Sequence, residues 1–304
     1  MKTTPADCPV ARASASTTCT NNPRRVVGSP PAARRGRLAV VNSGSVIRPD
    51  DAVIAHQVAG VEDGPWLLLL QGQANSHHWW DGIREDLGQV FRTVTFDYRG
   101  TGETTAPESM DAGWSTGLFA EDAVALLDEL GIRRAHVYGT SMGGRVAQVL
   151  AAQHPERVGG LVLACTTPGG VHALERSNRV RQNLADPDAR RRRDALLDLM
   201  YTPAWFTGDL TSNLLGDPGM TALAARLHLR VSARHDAYDL LPSISSPTLI
   251  LHGDADQMAP VENAQVIADR VPHATVRIRA GGRHGFFDEF KDEVNSSVIQ
   301  FLNP

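Results

Sequence analysis

The chain has 304 residues, 42% of them hydrophobic and 21% charged, an ordinary globular composition long enough to bury a core and still carry an insertion. Its formal net charge of −4 gives no overall basic field of the kind that concentrates nucleic acid. Apolar runs such as Trp66 to Leu70 fall far short of the roughly 20 residues that cross a bilayer, so neither a nucleic-acid nor a membrane partner is expected.

Taken from the amino terminus, residues 1–37 hold Lys2, Arg12, Arg24, Arg25, Arg34, Arg35 and Arg37 against one acid, Asp7. No apolar h-region follows and no 2- or 3.6-residue period is visible, so the segment reads as a disordered tail or a misplaced start, not a secretory signal. Three cysteines, Cys8, Cys19 and Cys165, show neither CxxC spacing nor an even framework, which points away from a disulfide scaffold or a zinc site and towards a reducing compartment, the cytoplasm.

From Leu38 on, short apolar β-branched runs alternate with longer helical patterns, the signature of parallel βαβ construction. The runs 38–41 and 52–58 suggest an antiparallel edge hairpin, followed by strands at 66–70, 93–96, 135–138, 160–164, 248–251 and 275–278. Residues 118–130 and 144–154 carry apolar positions at helical spacing on either side of the fifth strand. The interval 168–242 has helical pieces around 189–201 and 220–233 but no convincing strand. The Arg190–Arg193 run lies on the first of these helices, and consecutive residues there point to different sides, so a solvated face is expected rather than an anion clamp. The fold class is therefore α/β: a mostly parallel eight-stranded sheet with helices on both faces and a helical lid inserted after the sixth strand. Its core would span 38–167 and 243–304, with the lid at 168–242.

The chemistry concentrates where the fifth strand turns into a helix. Gly139-Thr140-Ser141-Met142-Gly143 matches the G-x-S-x-G pattern of a nucleophile elbow, whose glycines let strand and helix approach closely around an exposed serine. Serine is a poor nucleophile without a base, and His284, flanked by glycines just after the last strand, is the candidate. An acid to orient that base should lie between the two, and Asp254 and Asp256 share one loop after the seventh strand. The same loop lacks the later glycine and glutamate of an EF-hand. Negative charge on a reacting oxygen needs N–H donors: the Met142 amide is one, and the Gln73 amide, in the loop after the third strand, is the expected second. His77 and His78 in that loop lack a third ligand for a metal, and with Trp79 and Trp80 they fit pocket wall or helix packing better.

The set Gln71-Gly72, Asp97-Tyr98-Arg99-Gly100-Thr101-Gly102, 139–144, the AAQHPERV run at 151–158, the 253–260 turn and the 281–287 end resembles the α/β-hydrolase superfamily, and within it the esterase, 3-oxoadipate enol-lactonase and serine-haloperoxidase-like group. The resemblance covers roughly residues 52–302. It implies a triad in the order Ser141, Asp256, His284, because relatives place the acid three residues after the strand-ending glycine, here Gly253, and four before a proline, here Pro260. Serine at the elbow also sets the chain apart from relatives with a carboxylate nucleophile, the dehalogenases and epoxide hydrolases. The chain departs from the group in having Gln71-Gly72 where relatives usually have His-Gly, and Thr101 where many have histidine. The expected activity is hydrolysis of a small to medium ester or lactone through an acyl-enzyme, without a cofactor or metal. The same triad serves carbon–carbon bond hydrolases and thioesterases, and a hydrolase-like fold can also serve as a ligand-binding protein.

Overall fold

A computed structural model describes residues 38–109, 112–205 and 212–303; the expected tail at 1–37, with Cys8 and Cys19, lies outside them. Eight strands form one sheet: β1 (Leu38–Ile47), β2 (Val53–Val61), β3 (Trp66–Leu70), β4 (Arg92–Phe96), β5 (Ala135–Thr140), β6 (Val158–Ala164), β7 (Thr248–Gly253) and β8 (Ala274–Arg279). Their order is β1-β2-β4-β3-β5-β6-β7-β8. β2 pairs antiparallel with β1 and with β4, and every other pairing is parallel. The edge hairpin runs well beyond the expected 38–41 and 52–58, because its ladder continues through polar positions such as Ser43 opposite Gln57; main-chain pairing does not need an apolar side chain.

The inner strands alternate between two cores, as the period of two requires. Leu68, Leu70, Val137, Leu161, Leu163 and Ile250 face one core, shared with α2 (Thr116–Glu129) and α3 (Met142–Gln153). Leu67, Leu69, Tyr138, Val162, Leu249 and Leu251 face the other, which also takes Leu87 of α1 (Arg84–Gly88) and Val294, Val298 and Leu302 near the carboxyl end. Both faces of the sheet are thus covered, and the strands read as nearly continuous apolar runs.

Between β6 and β7 lie α4 (Asn178–Leu184), α5 (Ala189–Met200) and α6 (Ala222–Ala233). Side-chain caps start all three, from Ser177, Asp188 and Thr221. α5 and α6 sit where helical spacing suggested. α4 was not anticipated, since Val180 alone among its seven residues is buried and one apolar contact leaves no period to read. Arg190–Arg193 are exposed on α5, in keeping with a solvated face. After β7 come α7 (Glu262–Ala268), α8 (Phe286–Glu289) and α9 (Lys291–Leu302). Among the described residues no helix is long and apolar enough to cross a membrane.

Candidate active site

The end of β5 turns into α3 through Ser141, whose backbone has φ 53° and ψ −117°, a left-handed conformation that a residue with a Cβ adopts only at a cost. Close packing enforces it. A Cβ on Gly139 would collide with the Gly143 carbonyl, one on Gly143 with the Leu70 carbonyl, and one on Gly144 with the Thr166 side chain at 2.6 Å. The Ser141 amide donates to the Ala164 carbonyl (2.9 Å), and the Thr166 hydroxyl donates to the Ser141 carbonyl (2.8 Å). The serine side chain is thereby fixed at the carboxyl edge of the sheet, where open α/β sheets place their ligands.

His284 follows β8 and Asp256 follows β7, and the structure brings both to Ser141. His284 Nε2 lies 3.0 Å from Ser141 Oγ, and Nδ1 lies 2.7 Å from Asp256 Oδ2. The other oxygen, Oδ1, accepts the amides of Met258 (2.8 Å) and Ala259 (2.9 Å). Burial alone would raise the Asp256 carboxyl, but the charge of His284 and hydrogen bonds from His252 and His284 outweigh it and hold the acid well below the usual carboxylate range. His252 is a contributor that the sequence did not announce: its Nε2 donates to the Ala259 carbonyl (2.7 Å) and lies 3.4 Å from Asp256 Oδ2. Asp254 is exposed, and its carboxylate accepts the Gly281 amide at 2.6 Å. It ties the β7 and β8 loops together away from the histidine.

The loop after β3 faces the serine. Ala74 has φ 58°; its amide donates to His228 Nδ1 (3.2 Å) and its carbonyl accepts the Asp217 amide (2.8 Å). The opposite ring nitrogen of His228, Nε2, donates to the Arg99 carbonyl (2.9 Å), so Nδ1 is the unprotonated acceptor. The Gln73 carbonyl is held by the Asn75 side chain (2.7 Å), which also accepts the Gly216 amide (3.0 Å). Among the described residues, neither the Gln73 nor the Met142 amide donates to another group. Gln71, at the departure from the relatives' histidine, turns inward: its Nε2 donates to the Phe96 carbonyl (2.7 Å), and its Oε1 has no partner among the described residues.

His77 and His78 do not diverge as adjacent residues on an extended segment would; their rings lie 4.1 Å apart because the segment is a 3-10 turn. Their nitrogens nonetheless engage different carboxylates, His77 Nδ1 with Asp97 (2.9 Å) and His78 Nδ1 with Asp81 (2.8 Å). Trp79 forms a wall of the cavity beside Ser141, with its indole N–H on the Thr140 hydroxyl (2.8 Å), and Trp80 is buried against Tyr138.

That cavity has a volume of about 250 Å³ and is lined by Ser141, His284, Gln73 and Met142, by Leu196, Met200 and Leu214 from the 168–242 interval, and by Arg145 and Arg176. A serine, a histidine already hydrogen-bonded to it, an ionised acid behind that histidine and free amides nearby constitute the parts list of nucleophilic acyl transfer.

Comparison with known proteins identifies the fold family. A family model described as the alpha/beta hydrolase fold matches residues 65–290. The chain is 30% identical over 253 residues to the "Putative carbamate hydrolase RutD" of Pseudomonas savastanoi pv. phaseolicola, covering 79% of this chain and 95% of that one. It is 28% identical over 199 residues to a 2-hydroxy-6-oxononadienedioate/2-hydroxy-6-oxononatrienedioate hydrolase of Pseudomonas sp, covering 61% and 69%. Among solved structures, the esterase RhEst1 from Rhodococcus sp. ECU1013 superposes with a TM-score of 0.73 at 25% identity, covering 86% of this chain and 98% of that one.

Proposed function

The chain belongs to the alpha/beta hydrolase fold family, and from that premise we propose that it is a serine hydrolase that cleaves a small to medium ester or lactone through an acyl-enzyme. The observation that carries the reading is the unbroken chain Ser141 Oγ, His284 Nε2, His284 Nδ1, Asp256 Oδ2, with links of 3.0 and 2.7 Å, at the wall of a cavity.

In this mechanism His284 takes the Ser141 proton on Nε2 as Oγ attacks the carbonyl carbon, and Asp256 stabilises the imidazolium through Nδ1–H. The tetrahedral oxygen accepts hydrogen bonds from the amides of Met142 and Gln73, the first of which opens α3 and so adds the helix dipole. The Ala74 amide is already committed to His228, which leaves Gln73 as the donor from its loop. His284 then returns the proton to the leaving oxygen, and water repeats the sequence to release the acid and restore Ser141. No step calls for a cofactor. The cavity, at about 250 Å³ just below the usual ligand-site range of roughly 300–1,000 Å³, favours a compact substrate. Helices α4–α6 act as the lid over it, and the reaction is assigned to the cytoplasm.

Labelling with a fluorophosphonate, followed by peptide mapping, tests the nucleophile: modification at Ser141 supports the reading, and an unmodified Ser141 in folded protein overturns it in favour of a ligand-binding role. A panel of aryl esters, lactones, acyl thioesters and carbon–carbon substrates then separates ester or lactone cleavage from the reactions that share the triad.

A further inference from the structure

Two guanidinium groups line the cavity beside Ser141, and among the described residues no carboxylate does. Arg145 stands one turn along α3 from the serine, its amide bonded to the Ser141 carbonyl (3.3 Å). Its Nη1 donates to the Ser232 carbonyl of α6 (2.6 Å), which uses one of five guanidinium N–H groups. Arg176 enters from the segment before α4, and among the described residues its guanidinium has no hydrogen-bond partner. Both are only partly exposed. Nearby acids are otherwise engaged: Glu175 is exposed and bonds Arg181 (2.9 Å), while Asp256 serves His284, His252 and two amides.

The positive charge is therefore held at a cost: among the described residues no carboxylate pairs directly with either guanidinium, and Glu175 and Asp256 act on them only at longer range. Burial pulls Arg145 down to about 10, with Arg176 adding to the effect. Burial lowers Arg176 as well, against the pull of Glu175. Both remain cationic at neutral pH. Structural duty explains part of Arg145, which joins α3 to α6 through Ser232, but it explains none of Arg176. Much of the rest of the wall is apolar, from Leu184, Leu196, Met200, Leu214, Leu215 and Met258, with Asn75 and Ser232 as polar exceptions.

We infer that the substrate carries a free carboxylate at the end of a short apolar skeleton, read by Arg176 and Arg145 while the scissile carbonyl sits at Ser141. A planar carboxylate can take paired N–H donors from a guanidinium fork, which a neutral ester group cannot match in charge. This assignment deepens the hydrolase reading and rests on it for the position of the bond cleaved, but the anion site can be measured without turnover.

The experiment is calorimetric titration of the Ser141→Ala protein, which cannot form an acyl-enzyme, with monomethyl adipate and with dimethyl adipate at pH 7.5 and low salt. One charge-assisted hydrogen bond predicts that the monoanion binds at least about tenfold tighter than the diester. Arg176→Gln in the same background should bring the ratio of the two affinities towards one, and Arg176→Glu should reverse it. Adding Arg145→Gln to Arg176→Gln should abolish what preference remains; if that variant fails to fold, the Arg176 pair still decides. Absence of monoanion binding, equal binding of the two ligands, or a ratio unmoved by both Arg176 variants overturns the inference. Fluorophosphonate labelling of the wild-type protein reports separately on the nucleophile, so a failed anion site and a failed hydrolase give different results.

Discussion

Replacing Asp256 by asparagine changes one atom's chemistry and reverses the logic of the site. Oδ1 of Asp256 accepts two amides, those of Met258 and Ala259, and an asparagine must keep its single acceptor oxygen there. Its NH₂ then occupies the place of Oδ2, facing His284 Nδ1–H at 2.7 Å and His252 Nε2 at 3.4 Å, donor against donor. His284 relieves the clash by moving its proton to Nε2, the nitrogen 3.0 Å from Ser141 Oγ, and can then no longer accept from the serine. The wrong tautomer and the lost charge should together lower turnover by roughly 10² to 10⁴, about 3 to 5 kcal/mol of transition-state stabilisation. Asp254→Asn keeps an oxygen for the Gly281 amide and should cost less than about tenfold. The assay is kcat/KM for both variants on one aryl acetate, with circular dichroism to verify folding. The reverse ranking would move the acid to Asp254, and two mild effects would mean that another group orients His284.

Ser141→Ala and His284→Ala should each remove nearly all hydrolysis, and the double variant should be no worse than either, because the two act as a unit; additive losses in steady-state rates would refute this. Gly143→Ala places a methyl group into the Leu70 carbonyl and should markedly lower the melting temperature or the labelling rate of Ser141, whereas a neutral result would show that the elbow has room to relax. Enlarging the cavity with Leu196→Ala and Leu214→Ala should shift preference towards longer acyl chains more than it changes turnover of an acetate ester, and equal losses on both would make the insertion purely structural. Burial holds His228 at about 4 and His235, with help from Arg145, at about 3, while the unfolded chain protonates both near pH 6.5. The unfolded state therefore binds more protons as pH falls below that value, and stability drops by about 2 kcal/mol per histidine between pH 7 and 5. His77, raised by its hydrogen bond to Asp97, works in the opposite sense, and the depressed Asp256 loses its contribution only on more acidic descent, below about pH 4. Urea titrations at pH 7 and 5 should show a smaller difference for His228→Gln than for wild type, and an unchanged difference would remove His228 from this account.

The sheet, Ser141 and His284 were legible because their signals are local: apolar runs bounded by breakers, a glycine-framed serine at a strand end, and a histidine framed in the same way. The choice of Asp256 over Asp254 comes from the resemblance to the hydrolases, not from the local sequence. What was hidden depends on contacts between distant segments. Ala74 takes its conformation from a histidine 154 residues later. Arg145 stands in plain view four residues after the serine, yet nothing local says that its head turns into the cavity. Arg176 is one arginine among several in a polar segment, and α4 offers too few buried positions to be noticed. Gln71 was visible as a departure, but its inward bond to the Phe96 carbonyl depends on how β3 and β4 lie side by side.

The imidazole of His228 has a consequence for recombination. It joins α6 to the β3 loop through Ala74 and to the β4 turn through Arg99, and with the Asp217 and Gly216 amides it ties the 168–242 segment to the loop that carries Gln73. A chimaera that imports this segment from a relative without a histidine at that place would inherit a new cavity wall and a slack donor loop together. On the proposed mechanism such a chimaera should shift specificity and rate together.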